Sequence, residues 1–176
     1  MSGVAQITCV LPHRHPALLI DRISGIEPGV GVRTQKAVSV TDPGYRTLSN
    51  KASELEYVYP VGRLLESWAQ SAVLLACWEE PNPDVLEGKV ALLAGVKNAR
   101  TFGPVYPGQV VDHEVRVVRD LGDTLIITGG SSVAGRQVLE VGQLVLALRG
   151  TEALTPQPEP TAAPRLSSPT TTDKRS

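Results

Sequence analysis

Glu66 and Gln70 stand one helical turn apart in Val61-Gly-Arg-Leu-Leu-Glu-Ser-Trp-Ala-Gln-Ser-Ala. A carboxyl and a carboxamide at that spacing can hydrogen-bond, and a carboxyl held in one orientation can serve as a general acid or base. Enclosed by Leu64, Leu65 and Ala69, Glu66 is expected to be buried, and burial would raise its pKa toward that of a proton donor near neutrality. The same pair also fits the solvated stripe of an amphipathic helix, so spacing alone leaves two readings open.

The other reactive residue types give weaker patterns. His113, in Val111-Asp112-His113-Glu114-Val115, fits a half-exposed strand face with a structural role. Glu54 and Glu56 alternate with Leu55 and Tyr57, as on the outer face of a short strand. Cys77 in an apolar helix end is most simply a core residue. Cys9 and Cys77 lack CxxC or Cys/His spacing, so neither a disulfide framework nor a metal site is expected, and a reducing cytosol is the default compartment. Gly29-Val30-Gly31 and Gly129-Gly130 lack the strand–turn–helix setting of a phosphate cradle. No nucleophile triad can be assembled, and nothing implies a cofactor.

Positioning Glu66 requires a helix. Val61, Leu64, Leu65, Trp68, Ala69, Ala72, Val73 and Ala76 recur at spacings of three and four. Pro60 stands where its missing N–H costs nothing, and Pro81-Asn82-Pro83 forbids continuation. Arg63, Glu66, Ser67, Gln70 and Ser71 gather on one polar side, whereas Leu74 to Trp78 is apolar almost all round. Nearly everything else reads as strand: 18–26, 30–40, 88–102, 110–119, 124–133 and 137–148. Pro-Gly, Gly-Asp and Gly-Arg turns separate them, and short turns between the last three imply an antiparallel meander. The class is α+β, with a sheet curled around one long helix and edge strands available for pairing between subunits.

The chain has 176 residues with formal net charge −1, which argues against nucleic acid as the main partner. With 41% apolar residues it can build a real core, yet Ala72 to Trp78, the longest apolar run, is far too short to span a bilayer. Residues 1–153 are expected to form one domain, followed by a disordered Pro/Ser/Thr-rich tail at 154–176.

The ordered set of motifs carries a family resemblance. Leu11-Pro-His-Arg-His-Pro16 followed by Leu18-Leu-Ile-Asp-Arg-Ile23 resembles the opening of the bacterial (3R)-hydroxyacyl-[acyl-carrier-protein] dehydratases of the hot-dog fold. Glu66-Ser-Trp-Ala-Gln70 is similar to their central-helix motif, and Leu93-Ala-Gly-Val96 with Pro104-Val-Tyr-Pro-Gly108 to a third stretch. The resemblance implies a homo- or heterodimer of hot-dog subunits with active sites at the interface, acting on 3-hydroxyacyl thioesters carried by acyl carrier protein. It further implies that a His removes the C2 proton while a Glu from the neighbouring subunit protonates the leaving hydroxyl. The resemblance also implies that backbone N–H groups near the helix N-terminus polarise the thioester carbonyl.

Carried onto this chain, the resemblance makes Glu66 the acid and Gln70 its support. Gly62, one residue beyond the family's helix-start glycine, is the second supporting residue. His13 and His15 belong to the opening motif, where they are scaffold histidines near the interface at least as readily as catalytic ones. The family's loop His falls about fourteen residues before the Glu, and Ala52 occupies that position. Loss of a general base typically costs ~10²–10⁴-fold in rate, so a homodimer is expected to be nearly inactive. The resulting expectation is half of a heterodimeric dehydratase in fatty-acid or polyketide assembly, with a second hot-dog subunit supplying the His. The alternatives are a non-catalytic hot-dog partner that stabilises an active subunit, and a thioesterase-like hot-dog enzyme.

Overall fold

The computed structural model describes residues 2–81, 83–84 and 88–151. A short helix α1 (Val4–Val10) leads into strands β1 (Arg22–Glu27) and β2 (Gly31–Ala37). Two 3-10 turns, Pro43–Tyr45 and Glu54–Tyr57, precede the long helix α2 (Val61–Ala76). Strands β3 (Lys89–Thr101), β4 (Val110–Asp120), β5 (Thr124–Val133) and β6 (Arg136–Gly150) complete the fold. The tail expected at 154–176 lies outside the described residues.

The six strands form one antiparallel sheet in the order β1-β2-β4-β5-β6-β3, with the expected β4-β5-β6 meander at its centre. Register irregularities at Ile23/Gly25, Leu93/Gly95, Val117/Arg119 and Ile127/Gly129 interrupt the ladders. Each such irregularity bends and twists its strand, which lets a long sheet curl around a helix. Gly129 has φ 152°, and a Cβ there would overlap the carbonyl oxygen of Glu114 on β4, so only glycine fits this crossing.

The apolar face of α2 fills the concavity. Leu64, Trp68, Ala72, Leu74 and Leu75 share one core cluster with Val111, Val115, Ile127, Val141, Leu144 and Leu146 of the sheet. Trp68 is fully buried, and its indole N–H donates to Glu114 O at 2.9 Å, so its one polar atom is satisfied as burial demands. The helix start is tied down twice. Tyr59 N–H bonds Val105 O at 2.7 Å, and Arg63 Nε lies 2.7 Å from Oδ1 of the buried Asp42.

The structure departs from the sequence reading at several points. Glu54–Tyr57 is a 3-10 turn rather than a strand, because Ser53 and Glu56 form a reciprocal capping box that stabilises a helical start. Val4–Val10 is a helix, which the strand-dominated reading did not foresee. Ser67, Gln70 and Ser71, on the polar side of the helix, are buried, which excludes the solvated-stripe alternative for Gln70. His113 is 1% exposed, not half-exposed.

The two serines face the sheet. Ser67 Oγ lies 2.9 Å from His113 Nε2, and Ser131 Oγ lies 2.7 Å from Nδ1. Ser67 spends its hydrogen on Leu64 O at 3.0 Å, so His113 carries its hydrogen on Nε2 and accepts from Ser131 at Nδ1. Ser71 and Thr34 form a second such contact at 2.7 Å. A polar seam therefore pins α2 to β2, β4 and β5 beneath an otherwise apolar helix.

Candidate active site

The N-terminus of α2 opens the site. Arg63 and Leu64 are the first amides to bond back, both to Pro60 O, which leaves the N–H groups of Val61 and Gly62 ahead of the helical ladder. Gly62 is exposed, and nothing lies within 4 Å of where a Cβ would sit. Among the described residues these amides have no backbone partner, so they can meet a carbonyl oxygen, and the helix dipole adds to their pull.

One turn further, Gln70 is fixed on every side. Its Oε1 accepts from Leu19 N–H at 2.9 Å, and its Nε2 donates to Ala17 O at 2.8 Å and to Glu66 Oε1 at 2.9 Å. The Leu19 donor and the Ala17 acceptor admit only one orientation of the carboxamide. Glu66 is thus oriented by Gln70, as expected. It is not buried, however: 49% of its side chain is exposed in the single chain, because α2 turns this face away from the sheet. Any desolvation of Glu66 has to come from a neighbouring molecule.

His13 approaches the same carboxylate, with Nε2 3.8 Å from Glu66 Oε1. Burial holds the imidazole below its usual pKa, a shift that the Glu66 charge opposes and Arg14 reinforces. Arg14 fixes the segment by donating to Leu11 O at 2.6 Å, His13 O at 2.8 Å and Thr8 O at 2.9 Å. Behind His13, a cavity of about 50 Å³ lies between Pro12, Val73 and Cys77 on one side and Val90 and Ala91 of the edge strand β3 on the other. His13 therefore lines a cavity against the edge strand β3, with Glu66 3.8 Å from its imidazole.

The remaining candidates lie away from this cluster. Ala52, which the resemblance puts where the loop His is expected, is half-buried. Glu56 is committed to Ser53, whose N–H and hydroxyl donate to it at 2.8 and 2.9 Å and hold its carboxyl below the usual range. His113 is sealed under α2, and burial pushes it down to about 3, so it stays neutral and unavailable. Burial pushes the Cys77 thiol up to about 11, in keeping with a core residue. Sequence reasoning named Glu66, Gln70 and Gly62 as candidates but did not place His13 against Glu66. The only signal was the clustering of Pro12, His13 and Arg14 just ahead of β1, which says nothing about what the imidazole meets.

A single long helix clasped by a curled antiparallel sheet defines a hot-dog protein. Solved structures agree: the chain of the dehydratase heterocomplex ApeI:P from Xenorhabdus doucetiae superposes with TM-score 0.68 at 17% identity, over 84% of this chain and 93% of that one. A hot-dog-like protein from Thermanaerovibrio acidaminovorans gives 0.55 at 23% identity, over 73% and 87%. At these identities the likeness is one of fold. Sequence reaches further. The 3-hydroxyacyl-[acyl-carrier-protein] dehydratase FabZ of Roseiflexus castenholzii is 33% identical over 151 residues, covering 84% of this chain and 97% of that protein. The FabZ of Campylobacter lari is 32% identical over 140 residues, covering 80% and 93%. No family model matches the chain. The chain belongs to the family of FabZ 3-hydroxyacyl-[acyl-carrier-protein] dehydratases.

Proposed function

We propose that this chain is the acid-bearing subunit of a dehydratase acting on 3-hydroxyacyl thioesters of acyl carrier protein, in fatty-acid or polyketide assembly. Glu66 donates a proton to the C3 hydroxyl as the C3–O bond breaks and water leaves. A His of a second hot-dog subunit takes the C2 proton, whose bonding pair becomes the new double bond. The N–H groups of Val61 and Gly62 polarise the thioester carbonyl and stabilise the negative charge that builds there.

The observation that carries this reading is the pairing of an oriented Glu66 with an alanine at position 52. The acid is held in place while the loop that would hold the base has none. Support for a subunit seam comes from β3: it pairs only with β6 among the described residues, and Leu93 on it is 53% exposed. An edge strand of this length invites a partner, and a partner there would cover the face carrying Glu66. Pairing with a His-bearing hot-dog chain supplies both the missing base and the missing desolvation.

Mass spectrometry of a 3-hydroxyacyl carrier protein tests it. Incubated with this chain alone, the substrate should stay intact; with this chain plus a hot-dog partner that carries the loop His, it should lose one water. Glu66→Gln in the assembled pair should abolish the loss. Full activity from this chain alone would refute the split site, and unchanged turnover of the Glu66→Gln pair would leave a purely stabilising partner.

A further inference from the structure

We infer that His13 is a positioning residue for Glu66: its Nε2–H and the Gln70 amide converge on carboxylate oxygen Oε1, leaving Oε2 as the oxygen that carries the transferable proton. The inference rests on the reading of Glu66 as the acid and adds a residue to it.

Three observations carry it. The first is convergence: Gln70 Nε2 lies 2.9 Å and His13 Nε2 3.8 Å from the same oxygen. An oxygen faced by two N–H donors is a poor place for a third hydrogen, so protonation falls on Oε2. The second is the tautomer. His13 Nδ1 is buried with no partner among the described residues. A buried N–H without an acceptor is costlier than an unfilled lone pair, so the hydrogen belongs on Nε2, facing Glu66. The third is that both donors are anchored by the same stretch of chain. Arg14 bonds the His13 carbonyl at 2.8 Å, while Ala17 O and Leu19 N hold Gln70. The segment from Pro12 to Leu19 thus acts as a clamp that sets the acid's orientation.

At 3.8 Å the His13 contact is longer than a hydrogen bond, and it tightens as the site fills and water leaves. The imidazole is suited to donating there, since burial keeps it neutral against the pull of the Glu66 charge, with Arg14 acting in the same sense as burial.

Two variants separate this role from a structural one. His13→Gln keeps an N–H close to the Nε2 position, and His13→Met fills similar space without a donor. In the assembled pair, with 13C-labelled glutamate side chains in this chain, the Glu66 carboxyl resonance should move in His13→Met relative to the wild type, because a donor facing Oε1 is lost. It should return toward the wild type in His13→Gln. In the assembled pair with the substrate above, His13→Met should lower kcat about tenfold with KM held within about twofold, and His13→Gln should restore most of the rate. An identical Glu66 carboxyl resonance in all three proteins would overturn the inference. So would a kcat for His13→Gln as low as that of His13→Met, because the imidazole would then itself be the reacting base. The resonance needs no turnover, so coupling of His13 to Glu66 can hold even where no water is lost from the substrate, a result that would sink the proposed reaction instead.

Discussion

Gln70→Met separates the scaffold of this site from its chemistry. Methionine has nearly the volume of glutamine, so the helix packing is retained and only polar partners are lost. Three bonds disappear: those to Leu19 N, Ala17 O and Glu66 Oε1. Leu19 is 3% exposed, so its N–H is stranded in the core, at a cost of about 1–3 kcal/mol. Ala17 and Glu66 are both exposed, and water replaces the lost donor there at little cost. The expected destabilisation is therefore about 2 kcal/mol, nearly all from one amide. Glu66→Ala, at an exposed position, should change stability by less than about 0.5 kcal/mol. Urea unfolding of the single chain at neutral pH measures both, and Gln70→Met should lower the midpoint by about 1 M with an unchanged slope. The double variant should be close to additive, since the Glu66–Gln70 bond is exposed on the carboxylate side. A loss below about 0.5 kcal/mol for Gln70→Met would refute the reasoning, because a buried amide could then be abandoned without penalty.

Two further outcomes concern the frame around the site. His113 sits near 3 in the folded chain against an unfolded value of 6.5, so the unfolded state binds more protons between those limits. Its contribution is complete above about pH 6.5 and is lost as pH falls toward 3, with a slope approaching about 1.4 kcal/mol per pH unit. Urea midpoints between pH 4 and 7 should show this slope in the wild type and lose it in His113→Gln; equal slopes would exclude His113 as the source. Gly129→Ala should cost more than about 2 kcal/mol, read by thermal unfolding or loss of soluble protein, because the new Cβ meets the Glu114 carbonyl and the backbone at φ 152° does not suit a side chain. A variant as stable as the wild type would show that the crossing of β4 and β5 can widen.

Where hydrophobic periodicity was long, the sequence placed elements to within a few residues. The three-and-four spacing from Val61 matches α2, and the strand expected at 124–133 is observed over the same residues. Short segments were less legible. Four residues of alternation around Leu55 looked like a strand, although Ser53-x-x-Glu56 is a capping-box pattern that argues for a helical turn. The seven residues of α1 bury only Ile7 and Val10, too little periodicity to stand out in a short segment. Ser67 and Ser71 were legible only as part of the helix's polar side. Their partners, His113 and Thr34, come from distant strands that no local window includes.

The amino-acid order alone determined that one helix lies in a curled antiparallel sheet, that a Glu and a Gln share one turn of it, and that position 52 holds no histidine. These properties depend on side-chain period and identity, which are local. Only tertiary structure decided that Glu66 faces outward, that Gln70 is locked by a segment 51 residues earlier, and that His13 approaches the carboxylate. Such contacts arise from how the sheet closes over the helix, so burial and partner choice belong to the assembled core rather than to any stretch of the chain.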